Sequence, residues 1–282
     1  MSSVSKSFPD FLVLGAPKAG TTALCEFLQG HPSVSMAKSK EPRYFDRHFE
    51  RGQGWYREKF FSSTERLLCG EGSPTYLADP QALKRILAEA PRAKMFVMLR
   101  EPAARAVSSW WMQLCHGKEY LGLQAALREC LTQPAPDSEA PGRGYLHYGL
   151  YGAQVQRLYE LFPKEQVHLI WSSDFRRDPG GEIDRAQRFL DLDPALRKGD
   201  LRPRWQAMGV RTALLYRMLA KRSPKLVQGR GFHQFSTAMR LLGDRPIRPD
   251  HHLNRFLLEY FEESDRLLEE VVGIRPPWRH SD

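Results

Sequence analysis

The sequence predicts an α/β fold, a central parallel sheet flanked by helices, and three observations carry that expectation. Phe11–Leu14 is a continuous apolar run, as in strands covered on both faces, and Lys94–Leu99 and Val167–Trp171 are further apolar-rich strand candidates. Segments of helical periodicity separate and follow them, which is the rhythm of a layered α/β chain. Gly, Pro and Asp residues punctuate the boundaries where elements should stop and start.

Phe11–Leu14 is the first expected strand and ends at Gly15. A helix follows from about Thr21 to Gln29, with Gly30 and Pro32 as stop signals. Ser33–Met36 and Leu67–Cys69 are short strand candidates. Asp79-Pro80 opens an amphipathic helix running to about Ala90, with Asp79 as N-cap and Pro80 at the first helical position. After the Lys94–Leu99 strand, a helix extends to about Cys115. Gln133–Arg143, rich in Pro, Gly and acid, is expected to be a surface loop. Tyr151–Phe162 is helical, Val167–Trp171 a strand, and Glu182–Leu190 helical again. Thr212–Lys221 is a further helix, Gly229–Gly231 a turn, and Leu253–Val272 a long amphipathic helix.

A chain of 282 residues buries enough surface to fold without disulfides or metal. One domain over residues 1–282 is expected, with a basic helical insertion at about 197–245. No apolar run approaches the ~20 residues that span a bilayer, and the first ten residues lack a signal core. The chain carries 42 Lys and Arg against 33 Asp and Glu. The excess is local, since Arg197–Arg255 holds 14 basic and three acidic residues. Such a stretch suits a solvated face or an anionic partner. Cys25, Cys69, Cys115 and Cys130 form no CxxC pair and no zinc spacing, so free structural thiols and a cytoplasmic setting are expected.

Gly15-Ala-Pro-Lys18-Ala19-Gly20-Thr21-Thr22 lies between the first strand and its helix. Free backbone N–H groups and the positive helix end converge there on an anion, giving a P-loop-like nucleotide-binding core. Gly15 and Gly20 fit Walker spacing, but Thr21 stands where that motif has Lys. A P-loop nucleotide kinase is therefore the weaker alternative. A second alternative is a basic anion-binding module without catalysis.

Pro17-Lys18-Ala-Gly20-Thr21-Thr22 resembles the 5′-phosphosulfate loop of sulfotransferases that use 3′-phosphoadenosine 5′-phosphosulfate (PAPS). Leu99-Arg100-Glu-Pro102 with Ser108 is similar to the family's 3′-phosphate motif. Lys40-Glu41-Pro42-Arg43-Tyr44-Phe45-Asp46, followed by Gly54-Trp55-Tyr56, resembles the KEPxFFD region of heparan-sulfate-type and related bacterial sulfotransferases. Glu71-Gly-Ser73-Pro74-Thr-Tyr76 resembles their E-K-[ST]-P-x-Y element. The resemblance implies sulfuryl transfer from PAPS to an acceptor hydroxyl. Glu41 is the implied general base, and Lys18 stabilises the transferred sulfonate. Ala19, Gly20, Thr21 and Thr22 cradle the 5′-phosphate, while Arg100 and Ser108 hold the 3′-phosphate. A C-terminal Gly-Arg segment joins them, with Gly243-Asp-Arg245 preferred and Gly229-Arg230 competing.

No metal is implied. The implied acceptor is a small molecule or carbohydrate, possibly anionic, and nucleic acid is not implied. Gly72 departs from the family's Lys, and neither the family's C-terminal cysteine pair nor its N-terminal anchor has a match. These departures turn the expectation toward a soluble bacterial enzyme with an acceptor other than heparan. His31, His116 and His147 are alternative bases whose simpler role is packing. At least one of Trp110 and Trp111 is expected to be packed.

Overall fold

The computed structural model describes residues 8–61, 67–116, 118–132, 144–197 and 249–279. Five strands build one parallel sheet: β1 (Phe11–Gly15), β2 (Val34–Met36), β3 (Leu68–Glu71), β4 (Lys94–Leu99) and β5 (Val167–Trp171). Their order is β2-β3-β1-β4-β5. Every pairing is parallel, with Phe11 opposite both Gly70 and Lys94, and Leu99 opposite Trp171. All five residues of β1 and the last five of β4 are buried. Their continuous apolar runs are thus those of central strands, as the composition predicts.

Nine helices complete the described part: α1 (Thr21–Gln29), α2 (Gly52–Phe60), α3 (Pro80–Glu89), α4 (Pro102–Cys115), α5 (Leu123–Thr132), α6 (Tyr151–Leu161), α7 (Ser172–Arg177), α8 (Pro179–Phe189) and α9 (His251–Val272). The bounds of α1 match the expected ones. Asp79 caps α3 as expected, accepting from the N–H groups of Gln81 at 2.8 Å and Ala82 at 3.2 Å. A cap of this kind stabilises a helix by about 1 kcal/mol.

Several elements differ from the sequence reading. α8 begins at Pro179 rather than near Glu182, because Asp178 caps it through the Gly181 N–H. α2, α5, α7 and a π-helical turn at Tyr44–His48 were not expected. Trp110 and Trp111 are both buried, which meets the expectation that at least one is packed. They share a second core with α5 and α9, so α4 is covered on more than its sheet side. Gln133–Arg143, Thr212–Lys221, Gly229–Gly231 and most of the basic insertion lie outside the described residues. None of the four cysteines is in a disulfide; Cys25, Cys69 and Cys115 are buried and Cys130 is half-buried.

The strand order matters for function. β1 lies between β3 and β4, so the chain leaves β1 toward one edge and later crosses to the other. Open α/β sheets bind ligands at the carboxyl ends of the strands beside such a switch point. The segments after β1, β2, β3, β4 and β5 carry Lys18, Glu41, Gly72, Arg100 and Ser172 respectively.

Candidate active site

The loop after β1 is shaped to offer donors. Gly20 caps α1 at φ 114°, a left-handed conformation that a side chain rarely tolerates. It provides no side-chain cap, and the N–H groups of Gly20, Thr21 and Thr22 have no protein acceptor among the described residues. The first turn of a helix leaves such donors for a ligand. Lys18 is left-handed too, at φ 70°. This conformation costs a non-glycine residue roughly 1–3 kcal/mol and is retained mainly at functional sites. Ala19 is buried, and its carbonyl accepts from the Ser172 hydroxyl of α7. Thr21 is buried and Thr22 half-buried.

The Lys18 side chain turns toward α4, where Nζ donates to Met112 Sδ at 3.3 Å. Burial lowers its pKa to about 8, and the charges of Arg100 and Lys40 push it the same way. A half-buried ammonium among like charges, with no acid partner among the described residues, is a group arranged for an anion.

Arg100 follows β4 and donates from Nη1 to the Lys18 carbonyl at 3.2 Å. Burial and then the neighbouring Arg176 lower its pKa. Tyr151, at the start of α6, donates to the Arg100 carbonyl at 2.9 Å and packs against Trp278. Ser108 lies half-buried on α4, two turns beyond Arg100. No contact joins it to Arg100. Arg105, also on α4, is wholly buried and hydrogen-bonds only the Tyr145 carbonyl among the described residues. Arg245 lies outside the described residues.

Glu41 stands in the loop after β2 with its side chain 40% exposed, paired to Lys40 at 2.9 Å. The carboxylate is therefore exposed to solvent in the free protein. Its loop is nonetheless fixed, because three bonds tie it to the end of β3. The Gly72 N–H donates to the Lys40 carbonyl at 3.3 Å. Ser73 Oγ accepts from the Arg43 N–H at 3.1 Å and donates to Glu71 Oε2 at 2.7 Å. Tyr76 Oη accepts from the Phe45 N–H at 3.2 Å and donates to Glu71 Oε1 at 2.8 Å. The motif around Glu41 thus hangs on the buried carboxylate of Glu71. Arg43, at φ 55°, closes the arrangement by pairing with Asp46, which also accepts from Thr75.

Burial raises the Glu71 pKa to about 7, against the opposing effect of hydrogen bonds from Ser73, Tyr76 and Tyr56. A carboxyl whose folded pKa exceeds its ordinary 4.5 binds protons more tightly when folded. Its contribution to stability is present below that ordinary value and is lost as pH rises toward 7. Glu71→Gln cannot ionise. The melting temperature of the variant relative to wild type is expected to climb across this pH window and then level off. A pH-independent difference would show that Glu71 is not ionising there.

The structure therefore brings Lys18, Ala19, Gly20, Thr21, Thr22 and Arg100 to one end of the sheet. The Glu41 loop reaches the same end of the sheet through the bond from the Gly72 N–H to the Lys40 carbonyl. Ser172 bonds the loop, Tyr151 bonds the Arg100 carbonyl and Arg176 adds a like charge near Arg100; none of the three is among the residues expected from the sequence. The available signal was the position of Ser172 directly after β5, where a parallel sheet presents functional loops. His31 has a structural role: its Nε2 lies 3.1 Å from the Asp193 carbonyl, and Nδ1 accepts from the Ser33 N–H.

A glycine-capped anion cradle after β1, on a β2-β3-β1-β4-β5 parallel sheet, defines a P-loop-like α/β protein. Within that class the chain belongs to the sulfotransferase domain family, which matches residues 8–207. It is 32% identical over 187 residues to heparan sulfate glucosamine 3-O-sulfotransferase 6 of Homo sapiens, covering 66% of this chain and 53% of that one. It is 29% identical over 204 residues to the bifunctional heparan sulfate N-deacetylase/N-sulfotransferase 1 of Caenorhabditis briggsae, covering 68% and 24%. The chain spans about half the length of the human relatives it matches. A sulfotransferase from Alicyclobacillus acidocaldarius shares the fold, with a TM-score of 0.71, 23% identity, and coverage of 94% and 96%. Among the described residues no helix is long and apolar enough to cross a membrane.

Proposed function

We propose that the protein transfers a sulfuryl group from PAPS to an acceptor hydroxyl. The observation that carries this reading is the half-buried Lys18 ammonium beside the free N–H groups of Gly20, Thr21 and Thr22, with Arg100 bonded to the same loop. These groups form a cationic cradle with no opposing carboxylate among the described residues at its centre, which fits a donor carrying phosphates at both ends of its ribose. The donor supplies the activated sulfuryl group and a stable leaving group.

Gly20, Thr21 and Thr22 bind the 5′-phosphate through the first turn of α1, while Ala19, expected from the sequence to join them, instead spends its N–H on the Ala16 carbonyl and shapes the loop. Arg100 and Ser108 recognise the 3′-phosphate, Arg through its planar fork and Ser as a neutral donor. Arg245 is the preferred further contact to that phosphate. Lys18 neutralises the negative charge that grows on the leaving oxygen as the S–O bond breaks. Glu41 takes the proton of the acceptor hydroxyl as the new O–S bond forms. The cradle needs no metal to neutralise the donor. The acceptor class is a small molecule or a carbohydrate, and the relatives named for heparan sulfate favour a carbohydrate.

Calorimetric titration tests the donor assignment. Adenosine 3′,5′-bisphosphate (PAP) is expected to bind at least tenfold tighter than AMP, the scale of one or two charged hydrogen bonds to the 3′-phosphate. Equal affinity for the two nucleotides would overturn the reading.

A further inference from the structure

We propose that Lys40 is a second sulfonate-binding cation of the transfer site, held on Glu41 in the free protein and released from it by the donor. The inference rests on the PAPS reading above and assigns a residue that reading does not use. Three features of the site lead to it.

The position of Lys40 is fixed by the sheet. Its carbonyl accepts the Gly72 N–H, which sets the Lys40 backbone at the carboxyl end of β3, beside β1. That strand end has no side chain of its own to offer. A Cβ at Gly72 would stand 2.6 Å from Cys25 Sγ, and Cys25 is locked in the core of α1. Gly72 is therefore a steric requirement of this chain, and any cation at this point must come from a neighbour.

Lys40 is that neighbour, since its carbonyl lies 4.0 Å from where a Gly72 Cβ would stand. Its positive charge also pushes the Lys18 pKa down. Its acid partner among the described residues is Glu41, at 2.9 Å. With side chains 30% and 40% exposed, this is a solvated ion pair, and such pairs contribute little to stability. Exchanging Glu41 for a sulfonate oxygen is therefore cheap.

The exchange has a chemical consequence. While Lys40 holds Glu41, a lone pair of the base is occupied. Once Lys40 turns to the sulfonate, the carboxylate is free to accept the acceptor's hydroxyl proton. That proton moves to Glu41, the acceptor O–S bond forms, and the S–O bond to the 5′-phosphate breaks. The bonding electron pair leaves with PAP. Lys40 keeps its own protons throughout, so it binds and steers without proton transfer.

Titrations of PAPS and PAP into Lys40→Gln test the proposal, because only PAPS carries the sulfonate. PAPS affinity is expected to fall about ten- to hundredfold, the scale of a lost charged hydrogen bond. PAP affinity is expected to change by at most about twofold, as for an ordinary surface substitution. Retained PAP binding also reports that the variant is folded. Lys40→Arg is expected to restore most of the PAPS affinity. If PAPS and PAP affinities fall equally, or neither falls, the sulfonate role is overturned while the donor reading stands. If wild-type protein fails to distinguish PAP from AMP, the donor reading fails and takes this proposal with it.

Discussion

Glu41→Gln is expected to lower kcat by about 10²–10⁴-fold while leaving PAP affinity within about twofold of wild type. An alcohol is a weak nucleophile near neutral pH, so its proton must leave as the O–S bond forms. Gln fills the same volume and keeps the loop geometry, but it cannot take a proton. The backbone of this loop is held by Gly72, Ser73 and Tyr76 and not by the Glu41 side chain. The substitution therefore isolates chemistry from structure. Single-turnover rates with PAPS and a competent acceptor, set beside PAP titration, measure the two effects separately. Near-normal turnover would move the base elsewhere, with His116 and His147 the nearest alternatives from the sequence. Burial lowers the pKa of both. Each would then be mostly neutral at pH 7 and able to accept a proton.

The legible part of this fold was its centre. β1 and β4 carry continuous apolar runs because they lie within the sheet, and that pattern needs no tertiary knowledge. Asp79-Pro80 was equally readable, since the cap is local chemistry. Asp178-Pro179 carries the same signal and marks the true start of α8. The turn at Tyr44–His48 and α2 were not readable for a different reason. Tyr44 stacks on Tyr56, Phe45 packs edge-on to Tyr76, and Phe8 packs on Phe61. This aromatic cluster is assembled from segments far apart in sequence, and no window of neighbouring residues reveals it.

The same division runs through the site. The β1 loop was legible because its donors are contiguous, from Lys18 to Thr22. The support of Glu41 was not, although all its members lie in two quoted motifs. Only the structure shows that Ser73 and Tyr76 bind backbone N–H groups of the Glu41 motif while both bond Glu71. The two motifs are one physical unit, the loop that carries Glu41 and the buried carboxylate that suspends it. This coupling also explains why Gly72 is tolerated. The backbone of the second motif does the holding through its N–H, so the side chain at position 72 is dispensable to the support. Closeness to Cys25 then decides which residue fits there.

Lys18→Met is expected to lower kcat by about 10²–10³-fold, the usual consequence of removing a group that stabilises developing negative charge. Met matches the length of the side chain and suits its contact with Met112. Binding should change in a second, more diagnostic way. In the free protein, burial first, then Arg100 and Lys40, lower the Lys18 pKa to about 8. A bound 5′-phosphate stabilises the ammonium and raises that pKa, so binding takes up a proton when pH exceeds about 8. PAP affinity of wild type should therefore be constant from pH 7 to just below 8, then weaken with rising pH. The phosphates themselves add little to this slope, because their second ionisation lies near pH 6. Lys18→Met should bind PAP more weakly at pH 7 and show no such slope, so the two curves converge above pH 9. Calorimetry in two buffers of different ionisation enthalpy measures the proton uptake directly. A wild-type profile that stays flat through pH 8 would place the Lys18 ammonium away from the phosphate and leave the backbone donors of Gly20, Thr21 and Thr22 to hold it.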